Sequence, residues 1–219
     1  MTTRPIVSVS NLRNALPRQF FDRDPRPVSR DLLGKLLVRL RGRRFLAGRI
    51  VEVEAYLGTG DPAAHAAAGR TARNAVLFGP PGYAYIYFIY GNHYCLNVST
   101  LPDGVAGGVL FRALEPVLGT EEMALSREIE IRNPSDLRNL TRGPGRLAEA
   151  FGITRERDNG KDLTTTRSDL WLADDGFHPG RVVVAKRVGI TKAEELPLRY
   201  AIAGNPFVSF PKPISAERT

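Results

Sequence analysis

The sequence predicts an α+β fold: a single domain with a curved, largely antiparallel β-sheet, a protruding β-hairpin and surrounding short helices. Three observations carry this. Two alternating runs, Lys35–Arg41 and Arg44–Tyr56, meet at the turn pair Gly42-Arg43 and read as neighbouring antiparallel strands. Two aromatic-rich runs meet at Gly91-Asn92 within YAYIYFIYGNHYCLNVS, Tyr83–Ser99, a pair that supplies the positive φ angles of a tight hairpin turn. The helical signals are short and scattered, and 219 residues without an internal repeat or a clean linker suit one core with elaborated loops.

In chain order, residues 1–18 are expected to form a flexible or loosely docked arm, 19–210 the domain and 211–219 a frayed tail. Phe20 and Phe21 begin burial. Ser29 reads as the cap of a short helix through Leu33, with Asp31 in its first turn and Gly34 as its stop. On the strand ending at Tyr56, the period of two puts Val51, Val53 and Ala55 on the core face and Glu52, Glu54 and Tyr56 on the exposed one. Leu57–Gly82 has no clear period and reads as a long surface loop with one helical turn, a kind of loop that often carries function. In the hairpin Tyr85, Tyr87 and Ile89 share one face, and Ile86, Phe88 and Tyr90 the other. Tyr90, beside the turn, is therefore free to project beyond the sheet.

Val109–Leu114 reads as another strand, and Gly119-Thr120 opens a helix whose first turn carries Glu121 and Glu122, favourable at the positive end of the helix dipole. Ser126–Arg142 is polar, basic and irregular. Pro144 and Gly152 bracket a short helix containing LAEAF. Arg155–Arg167 is a charged excursion expected to be mobile, and Val182–Val188 a strand.

The net charge of +8 points to a polyanionic partner, and the excess lies in Arg, which suits bidentate phosphate contact. Cys95 is the only cysteine, so an internal disulfide and a zinc cluster of several thiolates are excluded. No apolar run approaches membrane-spanning length and no signal-peptide core is present. The expectation is a soluble, cytoplasmic protein. Asp61 with His65, plus Glu52 or Glu54, are candidate ligands for a divalent metal, but HExxH and paired-His spacings are absent. There is no GxSxG, phosphate-cradling loop or dinucleotide fingerprint.

GRIVEVEAY, DPAAH, GRTARN, FGPPGYAYIYFIYGNHYCLNVS and VLFRALEP, in that order, resemble the alkyladenine (3-methyladenine) DNA glycosylase family. The similarity continues through GPGRLAEAFGI and VVVAKRVGI to LPLRYAIAGNPFVS, covering most of residues 19–210.

The resemblance implies an enzyme of base-excision repair that flips an alkylated or deaminated purine out of double-stranded DNA and hydrolyses its N-glycosidic bond. It further implies a monofunctional enzyme without lyase activity, associated with the nucleoid through DNA. The lack of a credible metal-ligand cluster points to no cofactor, and the lack of a large apolar surface helix to a monomer. The family's catalytic glutamate falls on Glu54, and its water is also held by an arginine and a backbone carbonyl that map to Arg112 and Val188. Arg112 beside Glu54 is expected to keep that carboxylate ionised. The base-stacking residues fall on Tyr56, His65 and Tyr87. Asn97 matches the residue that crowds the 2-amino group of a normal guanine. Tyr90 matches the tyrosine inserted into the minor groove, with Asn92 and His93 beside it. Arg70, Thr71, Arg73 and Arg146 fit phosphate contacts. Two departures stand out. Asn92-His93 replaces a larger apolar residue followed by an aromatic one in mammalian members, and Ala66 and Ala67 replace more polar residues.

Two rivals remain at this level. One is a non-catalytic damaged-DNA-binding module on the same fold. The other is a metal-dependent nuclease using Glu52, Glu54, Asp61 and His65. The nearest amine for a lyase, Lys186, reads as a phosphate or solvent residue.

Overall fold

The computed structural model describes residues 8–89, 91 and 93–209. Helices α1 (Val9–Leu12) and α2 (Pro25–Leu32) lead into a hairpin of β1 (Leu36–Arg41) and β2 (Arg44–Tyr56). A second hairpin, β3 (Ala84–Ile89) and β4 (His93–Ser99), is followed by the long strand β5 (Gly108–Leu118). Helices α3 (Thr120–Ser126), α4 (Pro134–Asn139), α5 (Pro144–Ala150) and α6 (Arg155–Asp158) come next. The short strands β6 (Leu170–Ala173), β7 (Val182–Ala185) and β8 (Arg199–Ile202) complete the chain.

The eight strands form one antiparallel sheet in the order β3-β4-β5-β2-β1-β6, with β8 joined to β2 and β7 outside it. The fold is α+β, as the hairpin signals predicted. Strand β2 is its spine. Along one edge it pairs with β5 from Ala47 to Tyr56; along the other, β1 takes the first half and β8 the second.

One irregularity in that spine positions the functional groups. Ile50 pairs with Leu114, Glu52 with Ala113 and Val53 with Phe111, so Val51 and Arg112 are each skipped in the ladder. Such bulges re-aim side chains. Ile50, Val53 and Ala55 face the main core, whereas Val51 packs with Ala113, Ala201, Phe207 and Val208. The simple alternation therefore fails at Val51. The face expected to be exposed is also closed: Glu52 and Glu54 are both 0% exposed.

The main core brings Val28 and Leu32 of α2, Met123 of α3 and Leu147 of α5 against sheet residues such as Leu37, Ile86, Leu96 and Phe111. Burying a side chain of this size is worth roughly 1.5–3 kcal/mol. Helix α2 begins four residues before Ser29, because Asp24 accepts the Arg26 N–H at 2.8 Å and Pro25 supplies a preset first turn. Ser29 is buried inside the helix instead of capping it. Within the stretch read as irregular, Asn133 caps α4 and Pro134 starts it. Strand β7 ends at Ala185, short of Val188. Residues 8–18, expected to be loosely docked, pack onto the sheet: Leu12 is fully buried, and its carbonyl accepts the Trp171 indole N–H at 2.7 Å. The tail from 211 onward lies outside the described residues.

The charged excursion after Arg155 is tied down by ion pairs. Asp158 and Arg39 are both fully buried and form two hydrogen bonds of 2.7 and 2.8 Å. Lys161 bridges Asp158 and Asp169, and Arg157 also donates to Asp169. Burial pushes the Asp169 carboxyl up, but Lys161, Arg157 and Arg39 outweigh it and hold the pKa at about 2. A carboxyl depressed in the fold contributes stability above its unfolded pKa and loses it as pH falls through the folded value. The melting temperature is therefore expected to fall as the pH drops from 3.8 toward about 2. Asp169→Asn should flatten that part of the curve, as read by thermal melts across the acid range.

Candidate functional site

A cavity of about 650 Å3 opens between the hairpin, the loop after β2, the start of α5 and the segment after β7. Its wall includes Tyr56, His65, Tyr87, Asn97, Arg112 and Val188, which come from six separate stretches of chain. Tyr85, Tyr87 and Ile89 all line it, as the hairpin's period of two requires.

Glu54 lies directly behind this wall. Its Oε1 accepts the Val188 backbone N–H at 2.8 Å and stands 3.0 Å from Arg112 Nη1. Its Oε2 accepts the Tyr56 hydroxyl at 3.0 Å. All three partners line the cavity, while Glu54 itself is fully buried. Burial pushes its carboxyl above the ordinary carboxylate range, against the opposing pull of Arg112, the Val188 N–H and the Tyr56 hydroxyl. Arg112 is thus where the sequence placed it, but desolvation is the larger influence.

Glu52, two residues earlier, goes the other way. Burial raises it too, yet Arg112 and Arg199, with the backbone N–H and hydroxyl of Ser209, together hold it below the usual range. Arg112 Nε donates to Glu52 at 2.9 Å and Arg199 Nε at 2.6 Å. Arg112 therefore sits between a firmly ionised carboxylate and one poised to take up a proton. Environments that push two carboxyls apart in this way mark candidate acid–base sites.

The aromatic residues are held by their own supports. His65 Nδ1 lies 2.8 Å from the Tyr85 hydroxyl, and its ring meets Tyr87 edge-on at 4.4 Å between centroids. Although His65 opens to solvent at the mouth, this packing, and then the charge of Arg73, hold its pKa below the ordinary value. Asn74, buried in the loop, donates to the carbonyls of His65 and Gly69 at 2.8 and 3.0 Å and fixes the loop's shape. Asn97 is buried, its Nδ2 donating to the Tyr85 carbonyl at 3.2 Å. Cys95 also lines the cavity, and burial raises its thiol to about 11.

Arg70, Thr71 and Arg73 are exposed on the loop, and Arg146 is exposed on α5 at the cavity rim. Arg142 and Lys192 add positive charge to the same rim. Lys186, the amine singled out from sequence, is exposed and not part of the wall. Ile89 pairs with His93, so three residues rather than two separate the paired strands, with Gly91 at φ 74°. Tyr90 and Asn92 lie outside the described residues. His93 turns toward α5: its Nδ1 is 2.8 Å from Glu149 Oε1, and its ring covers Gly145, where an added Cβ would meet it at 2.8 Å.

Asp61 does not join Glu52, Glu54 and His65. Its two oxygens receive both terminal nitrogens of Arg187 at 2.5 and 2.9 Å, together with the backbone N–H groups of Leu57 and Ala63. Among the described residues no three His, Cys, Asp or Glu gather as a metal-holding group. No helix among them is long and apolar enough to cross a membrane. Sequence reasoning missed Arg187, Lys192 and the roles of Arg199 and Ser209 around Glu52. Only proximity in the fold singles them out.

The family model described as methylpurine-DNA glycosylase matches residues 19–206. Three similar proteins carry the name "Putative 3-methyladenine DNA glycosylase". That of Koribacter versatilis is 66% identical over 194 residues, covering 89% of this chain and 92% of its own. That of Alkaliphilus oremlandii is 47% identical over 201 residues, covering 89% and 98%. That of Methanoculleus marisnigri is 48% identical over 198 residues, with the same coverage, 89% and 98%.

Proposed function

Because the chain belongs to the methylpurine-DNA glycosylase family, we propose that it is a base-excision-repair glycosylase that removes alkylated or deaminated purines from double-stranded DNA. The candidate substrates are 3-methyladenine, 7-methylguanine, hypoxanthine and ethenoadenine. The observation that carries the reading is Glu54: a buried carboxyl with a raised pKa, bonded to three groups that line an aromatic cavity.

In this reading the flipped base enters the cavity and stacks on Tyr56, His65 and Tyr87, each contact being worth roughly 1–3 kcal/mol. A water held by Glu54, Arg112 and the Val188 carbonyl attacks C1′. Its oxygen bonds to C1′, its proton passes to Glu54, and the electron pair of the breaking C–N bond leaves with the purine. A carboxylate with a pKa raised toward the working pH is a stronger proton acceptor than an ordinary one. Its negative charge also stabilises the oxocarbenium-like sugar. Asn97 crowds a guanine amino group, which disfavours normal bases. Arg70, Thr71, Arg73 and Arg146 hold phosphates, and His93, tethered to Glu149, braces the hairpin on α5. No side-chain amine attacks the sugar, so the enzyme is monofunctional; it acts as a monomer, needs no cofactor, and works in the cytoplasm on nucleoid DNA.

The test is an assay on duplexes that each carry one of the four lesions. Release of free base with an intact abasic strand, unaffected by excess EDTA, is the expected result. Strand cleavage that chelation abolishes would replace this reading with the nuclease.

Tyr90 is proposed to fill the gap left by the flipped nucleotide, and Asn92 to contact the DNA. Without Tyr90 the base returns to its stack. Tyr90→Ala is expected to reduce single-turnover excision of a correctly paired lesion much more than of a mispaired one, whose unstacking costs less. Equal losses on both duplexes would move Tyr90 into the pocket's support instead.

A further inference from the structure

Arg187 lies over the Tyr56 ring with its Cζ 4.7 Å from the ring centroid. Its side chain is 0% exposed and absent from the cavity wall, whereas Tyr56 forms part of that wall. The guanidinium therefore backs the ring on the side away from the cavity. Asp61 holds its two terminal nitrogens, and Nη1 also donates to the Ala55 carbonyl at 3.1 Å. Its Nε finds no acceptor among the described residues. The plane is thus fixed at its outer edge by Asp61 and across its face by the ring.

A π-face attracts cations through its quadrupole, and a guanidinium on one face draws on the electron density that the other would offer. Asp61 offsets part of the charge at longer range but lies at the guanidinium's edge, not between it and the ring. A positively charged base on the cavity side of Tyr56 therefore meets a weakened attraction and a like charge behind it. A neutral base keeps its stacking and dispersion contacts, because they do not depend on that density.

Resting on the glycosylase reading, we propose that Arg187 is a specificity-determining residue that biases the Tyr56 platform toward neutral purines, deaminated or etheno-bridged, over cationic N-alkylated ones. It acts through Tyr56 and touches no substrate.

The readout is the ratio of single-turnover excision on a 7-methylguanine duplex, cationic, to that on a hypoxanthine duplex, neutral. Wild type supplies the reference, and failure to excise either lesion would overturn the glycosylase reading itself. The double variant Arg187→Met/Asp61→Asn removes both buried charges together, and the cationic-to-neutral ratio is expected to rise roughly fivefold. A purely structural role for Arg187 would lower both rates alike and leave the ratio unchanged, which overturns the proposal. Tyr56→Leu leaves the buried pair in place and tests the same idea if the double variant fails to fold. With the ring biased against cations its loss should cost the neutral lesion more, so the ratio rises. An unbiased ring would favour cations, and a ratio that falls or stays constant overturns the proposal.

Discussion

Glu54→Gln is expected to bind lesion-containing DNA within a few-fold of wild type while excising the base slower by roughly 10²–10⁴-fold, the usual contribution of a positioned general base. Glutamine keeps the volume and still accepts from the Val188 N–H or the Tyr56 hydroxyl, but it cannot take a proton from water. The fold should not suffer. Glu54 has a raised pKa, so its ionised form is disfavoured by burial, and the stability it contributes at low pH is lost as pH rises through the folded value. Replacing it removes that loss but also takes one partner from Arg112, which keeps Glu52, so the melting temperature at neutral pH should lie close to the wild-type value. In wild type, excision should rise with pH as Glu54 ionises, with a midpoint above the ordinary 4.5. Single-turnover kinetics across the acid range and thermal melts of the variant check both halves. Excision by Glu54→Gln near the wild-type rate would end the assignment and leave Glu54 as a buried structural acid.

Arg112→Met is expected to lose excision to a similar degree, and unlike Glu54→Gln to destabilise the protein severely. Arg112 touches both buried carboxylates, with Nε on Glu52 and Nη1 on Glu54. Removing it leaves Glu52 with Arg199 and Ser209 and deprives Glu54 of its cation. Breaking a buried ion pair from one side costs about 3–5 kcal/mol, because the remaining charge stays out of water. Urea unfolding at neutral pH measures this directly. Acid should partly rescue stability, since protonating Glu54 removes the charge that Arg112 compensates. A variant as stable as wild type would mean that the two carboxylates are satisfied without it.

The hairpins were legible because their signals are local. Gly42-Arg43 and the residues around Gly91 stand between alternating runs, so β1, β2, β3 and β4 fall where the sequence puts them. The period of two also assigned Tyr85, Tyr87 and Ile89 to one face, and that face lines the cavity. The family motifs, long and in order, identified the family before any geometry was known. Alternation could not anticipate the bulge at Val51 and Arg112, since a skipped ladder position depends on the partner strand. Nor could it show that Glu52 and Glu54 are buried. Arg112, Arg199 and Ser209, the groups that make a buried Glu52 tolerable, lie 60, 147 and 157 residues away. The short strands β6 and β8 escaped for the same reason, being defined by the neighbours they pair with. Sequence alone determined where the two hairpins turn, which face of β3 lines the cavity, and the family. Tertiary structure decided which charges leave water, which ring Arg187 stacks behind and which way Glu54 titrates. Desolvation and ion pairing depend on what surrounds a side chain in space, and along the chain those neighbours are far apart.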